Sequence, residues 1–238
     1  TMVVIPDTQH YTDNVANAPI FTEITRWIAE HREHHNIRFV LQLGDLVEHN
    51  TTAEWDRART SMAELDGKVP YALTTGNHDL GPGGKASDRT GEFNLASRFG
   101  AGSPYASQPT MGGFYPEISN PNYRESSYHT FHANGHDYLV LALEWTPRDP
   151  VVAWANQIVS EHPKHRVILL THVYLTENNS VWTNGVGVGE NNGRDLWEKL
   201  VSRHENFFLT TNGHFSSLGY LKSAGAMGNA VHQILFNA

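Results

Sequence analysis

The stretch "IRFVLQLGDLVE", residues 37–48, decides the reading of the fold. A short apolar run, β-leaning and closed by Gly44-Asp45, reads as a buried strand rather than a helix. Two other runs end in the same manner. "MVVIP" (2–6) gives way to Asp7-Thr8-Gln9, and "VPYALTT" (69–75) to Gly76-Asn77-His78-Asp79. Between the first and second lies "IFTEITRWIAEH", where Ile20, Ile24, Trp27 and Ile28 share one helical stripe and Pro19 suits the first turn. Between the second and third, Thr51 and Glu54 match a capping box ahead of a helix with Trp55, Ala58, Met62 and Leu65 on one face. This β-α-β-α-β order predicts an α/β fold with largely parallel neighbouring strands.

Residues 80–127 break the rhythm. They are rich in Gly, Pro, Ser and Asn, with one helical candidate near "GEFNLASRF", and a segment of this length is expected to form one rim of a functional site. "SSYHTFHANGHDYLVLALEW" reads as a hairpin turning at "ANG". Asp149-Pro150 opens a helix, "RVILLTH" (166–172) is a strand, "RDLWEKLVSRH" (194–204) a helix and "NFFLTT" a strand, with further β-structure at "GYLKS" and "NAVHQILF". The loop 176–193 is a second candidate for the rim. No internal repeat or low-complexity tract is visible, and no linker divides the chain. At 238 residues it is long enough for one large domain spanning 1–238 with a loop insertion at about 80–127.

Composition narrows the function. The formal net charge of −8 gives no basic footprint for nucleic acid or an anionic membrane. No apolar run approaches the ~20 residues that span a bilayer. With no cysteine, disulfides, thiolate metal sites and a cysteine nucleophile are all excluded. The chain enters a core strand at its second residue, an abrupt start that leads us to expect a preceding leader and a secreted or periplasmic protein. Asn50 and Asn178 match the glycosylation acceptor pattern, which is short enough to recur by chance. The chain has fifteen histidines, of which "HREHH" (31–35) reads as a solvated helix end. The informative ones follow strands.

Each central strand is followed at once by oxygen or imidazole ligands: Asp7 and Gln9, Asp45, Asn77 and His78, His172, and His214. A single aspartate after a strand is ordinarily an N-cap or turn residue, and a single strand-end histidine is ordinarily a satisfied polar group. Five such positions at one sheet edge are harder to explain by capping. Open α/β sheets bind ligands at the carboxyl ends of their strands, and glycines at three of the turns let the backbone approach closely. Carboxylate, amide oxygen and imidazole together suit Mn, Fe, Zn or Mg. Two cations about 4 Å apart need a bridging carboxylate, for which Asp45 is placed.

These blocks resemble the signature of the calcineurin-like metallophosphoesterases: "PDTQ" (6–9), "GDLVE" (44–48), "GNHD" (76–79), "THVY" (171–174) and "GHFS" (213–216). The resemblance implies a four-layer α-β-β-α sandwich and a metal-dependent phosphoester hydrolase, a phosphodiesterase acting on a small phosphoester. It implies two divalent cations, one held by Asp7, Gln9 and Asp45, the other by Asp45, Asn77, His172 and His214. His78 would act beside the phosphate with Asp79 orienting it, and Asn77, His78 and Tyr174 would contact substrate. Trp182 is a substrate-stacking candidate by its place in the polar loop 176–193, where a tryptophan ordinarily anchors the loop. Of the tryptophans, Trp27, Trp55, Trp154 and Trp197 suit helix core faces.

Two positions depart from the family pattern. Gln9 stands where many members carry histidine. Ser216 replaces the family's last histidine, which predicts a weak or empty first site; His10 could compensate only if the chain there is not extended. The same serine motivates an alternative, a degenerate member that keeps one metal and serves binding or structure.

Overall fold

The computed structural model describes residues 1–86, 98–118 and 123–237. β1 (Met2–Ile5), β2 (Phe39–Gln42) and β3 (Tyr71–Leu73) form a small parallel sheet in that order. Helix α1 (Gln9–Asp13) follows β1 directly, then α2 (Ala18–Glu30); α3 (Thr52–Met62) connects β2 to β3. The second sheet contains β4 (Met111–Phe114), β5 (Ser127–Ala133), β6 (His136–Ala142), β7 (Arg166–Leu170), β8 (Phe207–Asn212), β9 (Ser217–Ala224) and β10 (Ala230–Asn237). Its order is β4-β5-β6-β7-β8-β10-β9, with β6, β7, β8 and β10 mutually parallel and antiparallel pairs at both ends. Helices α4 (Asp149–Glu161) and α5 (Gly193–Lys199) complete the set. No described helix is long and apolar enough to cross a membrane.

Three separate apolar clusters make the four layers. Strand alternation sends Val40 to one face of β2 and Phe39 and Leu41 to the other. The first face packs with Ile5, Phe21, Ile28, Trp55 and Met62 against α2 and α3. The second meets Val140, Ala142, Ile168 and Leu170 between the sheets. Leu139, Leu141, Val167 and Leu169 leave the large sheet on its far side to pack against Val151, Ala155, Val159 and Leu196 of α4 and α5. Truncating one such fully buried leucine costs about 2–5 kcal/mol.

Local sequence signals act as read. Thr51 and Glu54 form a reciprocal capping box on α3, and Asn134-Gly135 turns the β5–β6 hairpin with φ of 50° and 76°. Two expectations are corrected. The buried face of α2 is Phe21, Thr25, Ile28 and Ala29, whereas Ile20 and Trp27 are about half exposed at 47% and 48%. The stripe is rotated because Thr25 seats its hydroxyl on the carbonyls of Phe21 and Ser61, and Trp27 instead stacks on His31. Residues 80–127 are more than a rim loop. Phe99 and Tyr105 enter the α2–α3 core, β4 pairs with β5, and the Gln108 amide bonds both Tyr71 N and Tyr71 O, covering the open edge of β3. The helical candidate at "GEFNLASRF" lies largely outside the described residues.

Candidate metal centre

The parallel strands of the two sheets end at the same face, and five strand-end turns meet there. Backbone bonds tie the turns together: Thr8 N donates to Asp45 O at 2.9 Å and Gly213 N to His172 O at 3.1 Å. Space is made by glycines. A methyl group on Gly76 would collide with the Asp45 carboxylate, and one on Gly213 with that of Asp7. Gly44 adopts φ +95°, and Asp45 and His214, which are not glycines, hold φ of 47° and 73°. Left-handed backbone at two ligand-type residues stores strain that the surrounding bonds must hold.

His172 is the most tightly defined group. It is fully buried, and Nδ1 donates to the Leu43 carbonyl at 2.7 Å, crossing from the large sheet to the small one. A carbonyl only accepts, so Nδ1 carries the proton and Nε2 is the nitrogen presented to Asp45 Oδ2, 3.1 Å away. Asp45 Oδ1 accepts from His78 N at 2.9 Å. One ligand atom each from Asp45, His172 and His214 lies within 4.8 Å of the others. Gln9, in the first turn of α1, brings Nε2 to 3.4 Å from Asp45 Oδ2. Asp7 Oδ1 lies 3.8 Å from His172 Nδ1, while Asp7 Oδ2 accepts from His214 N at 3.0 Å.

Electrostatically, one imidazolium, His172, faces the two carboxylates of Asp7 and Asp45. Burial pushes the Asp7 carboxyl up to about 6, helped by Asp45 and opposed by His172. Burial works against charge on His172, but the Asp45 and Asp7 carboxylates win and hold it at about 10. Burial and the charge of His172 push His214 down to about 4, a neutral imidazole at pH 7.

The donor set fits a divalent cation. Asn77 Oδ1 is buried without a hydrogen-bond partner, and His172 Nε2 meets only the Asp45 carboxylate, 3.1 Å away; a divalent cation would take the Asn77 lone pair and replace the proton on His172 Nε2. Oxygen and imidazole donors suit Mn, Fe, Zn or Mg.

The remaining sequence candidates fall in different places. His78 is partly exposed; its Nδ1 donates to the Glu48 carbonyl at 2.9 Å, with Glu48 Oε1 at 3.5 Å. The expectation that Asp79 orients it is corrected. Asp79 is fully buried and accepts from Val47 N at 3.0 Å and Gly76 N at 2.8 Å, so it staples the second turn to the third, and Glu48 is what faces His78. Burial, with the nearby Asp45 charge, pushes the Asp79 carboxyl well above its ordinary range against the pull of those amides. Tyr174 is fully buried in the α4–α5 core, which removes it as a substrate contact. Trp182 is 9% exposed and its backbone pairs with Tyr174 and Arg194, so it anchors its loop. His10 lies on the helical turn α1, exposed, 3.9 Å from Glu48 Oε2. Ser216 is exposed and lines a cleft of about 270 Å³ with Asp7, Gln9, His10, Tyr11, Asn17, His214 and Asn237.

Three neighbours escaped the sequence reading: Glu48, Asn237 and Trp145. Trp145 packs against both His172 and His214, with ring centroids 5.6 and 5.0 Å away. It follows β6, so the same strand-end rule applied to "LALEW" would have found it. Asn237 closes the last strand, where nothing local marks it.

Comparison with known proteins agrees with this geometry. The profile of the calcineurin-like phosphoesterase family matches residues 1–214. YvnB, an uncharacterized protein of Bacillus subtilis, is 29% identical over 219 residues, which is 91% of this chain but 15% of YvnB; the chain thus spans a small part of that relative. A dimetal phosphatase from Danio rerio superposes with TM-score 0.51 at 14% identity, over 91% of this chain and 77% of that one. The purple acid phosphatase PPD1 of yellow lupin gives TM-score 0.54 at 16% identity, over 92% and 39%. With its strand-end ligand turns, its mixed α/β sandwich and this profile match, the chain belongs to the calcineurin-like phosphoesterase family.

Proposed function

We propose that this domain is a metal-dependent phosphodiesterase that uses an asymmetric two-cation site. The observation that carries the reading is the convergence of Asp45, His172 and His214, with Asn77 Oδ1 buried and unpartnered on one of the strand-end turns. Asp45, Asn77, His172 and His214 would hold one cation; Asp7, Gln9 and Asp45 the other. Bound there, divalent cations would supply Lewis acidity toward a phosphoryl oxygen and lower the pKa of a water.

The chain's own groups supply the rest. His78 binds Glu48 through Nδ1–H, which leaves Nε2 to donate to a phosphoryl oxygen or to protonate the departing alkoxide. Asp79 holds the Gly76 and Val47 amides and so fixes the turn on which Asn77 and His78 ride. Trp145 covers the imidazoles and limits water around them. Among the described residues, the cleft lining includes no lysine or arginine, which favours the singly charged diester over a dianionic monoester.

The test is hydrolysis of bis-p-nitrophenyl phosphate and p-nitrophenyl phosphate by chelator-stripped protein resupplied with Mn, Zn, Fe or Mg. Turnover with the diester ahead of the monoester is expected; a folded protein inert with all four metals sinks the proposal. Exposed Ser216 favours a second reading, a one-metal binding or structural member. One tight metal with no turnover selects it.

A further inference from the structure

We infer that Asn237 is a positioning residue of the first cation's half-site, giving Asp7 from the end of β10 a support that Ser216 does not provide. The inference rests on the two-cation reading above. Asn237 Nδ2 donates to Asp7 Oδ2 at 2.6 Å, across 230 residues of sequence. The same oxygen accepts from His214 N at 3.0 Å. Two donors on one oxygen fix the carboxylate plane and leave Oδ1, which has only the 3.4 Å approach of His214 N, on the side facing His172. A carboxylate that must ligate through one oxygen is best oriented by hydrogen bonds to the other, which also lowers the cost of burying it.

The placement is built into the sheet. β10 lies between β8 and β9, and its pairing with β9 runs to the last pair, Asn237 with Ser217. Asn237 is therefore held one register step from Ser216, in the same cleft as Asp7, Gln9 and His214. Both donors to Asp7 Oδ2 come from the large sheet, whereas Asp7 itself leaves the small one. The bond locks the two sheets together at the site's more open side. An amide suits the task because it donates without adding charge beside two carboxylates.

The experiment is Mn²⁺ titration of the chelator-stripped chain by calorimetry, with bound ions counted by electron paramagnetic resonance, for wild type, Asn237→Ala and Asn237→Asp. The aspartate keeps the shape and removes the donor. Both variants are expected to weaken the looser Mn²⁺ by roughly 10- to 100-fold, the usual consequence of losing an outer support of a ligand, and to leave the tighter one within about twofold, which also reports that the fold is intact. Wild-type affinities for both ions in Asn237→Ala overturn the inference. So does tighter binding in Asn237→Asp, which would make this position a direct ligand, and so does a wild-type chain that takes one ion only. Turnover is measured on the same wild-type preparation. Two ions bound without hydrolysis sink the proposed activity and leave Asn237's role standing; hydrolysis with an unaffected Asn237→Ala does the reverse.

Discussion

The two sides of the metal centre are built to different standards. On one side, His172 is fully buried and Asp45 is 2% exposed, and the imidazole is fixed by a bond that crosses both sheets. On the other, Gln9 approaches Asp45 from a short helical turn at 3.4 Å, Ser216 faces solvent, and a cleft of about 270 Å³ reaches Asp7. The first arrangement is preorganised by the fold: burial and the Leu43 bond hold His172, and its ligand atom lies within 4.8 Å of those of Asp45 and His214. The second adds to the shared Asp45 only Asp7 and a glutamine that reaches in from a one-turn helix through a long 3.4 Å bond. Preorganisation lowers the entropy lost on binding, so the closed side should hold its ion tightly and the open side should exchange.

Asp45 belongs to both sides, and removing it is the most severe test of the comparison. Asp45→Asn takes charge from both cation positions and leaves the buried His172 facing an amide. We expect loss of both ions in metal counting and a fall in diester turnover of roughly 10³-fold or more, the upper range for one electrostatic contact to a transition state. If one ion stays bound at wild-type affinity, the two sides do not share this carboxylate. His78→Ala should fall next, by about 10²- to 10⁴-fold in kcat as for a lost proton donor, while both ions remain bound. That split separates a group that meets substrate from one that holds metal.

The pH dependence of the stripped protein tests chiefly the closed side. His172 has a folded pKa of about 10 against 6.5 for the free side chain, so the folded state binds the extra proton between those values. Its contribution is complete below about 6.5 and is lost as the pH rises toward 10. Chelator-stripped protein should therefore lose melting temperature over that interval, by an amount corresponding to a few kcal/mol at most. Asp7, raised to about 6, adds a smaller loss between its free value of 3.8 and 6, in the same direction. Saturating Mn²⁺ should flatten the upper interval, because metal binding replaces the proton on His172. A melting temperature flat from pH 6.5 to 10 without metal would mean that His172 does not sit between two charged carboxylates.

Much of this centre was readable from the chain because it is made by a local rule repeated five times: strand, then ligand, with a glycine between them at three of the five turns. The rule needs only β-propensity and a sharp turn, both visible in short windows. What escaped it was long-range. Nothing near "GNHD" says that Asp79 will turn to the Val47 and Gly76 amides rather than to His78; that depends on how two turns from separate strands abut. Asn237 meets Asp7 only because β10 inserts between β8 and β9, a pairing that no periodicity encodes. The face of α2 was misread for a related reason. Ile20 and Trp27 fit an apolar stripe, but Thr25, polar by type, finds the Ser61 carbonyl and turns the helix toward Phe21. Period tells that a helix has an inside, and tertiary hydrogen bonds choose which inside.

The gentlest test adds a ligand instead of removing one. Ser216 lines the open cleft beside Asp7, Gln9 and His214 and is itself exposed, so a larger side chain fits there without disturbing the core. Ser216→His should tighten the looser cation by about tenfold, near 1.4 kcal/mol, and leave the tighter one unchanged, read by calorimetric titration with Mn²⁺. Activity should rise only at limiting metal, because at saturation both forms hold the same ions. Tightening of the buried ion instead would show that position 216 reaches the closed side, and the contrast between the two sides would lose its structural basis.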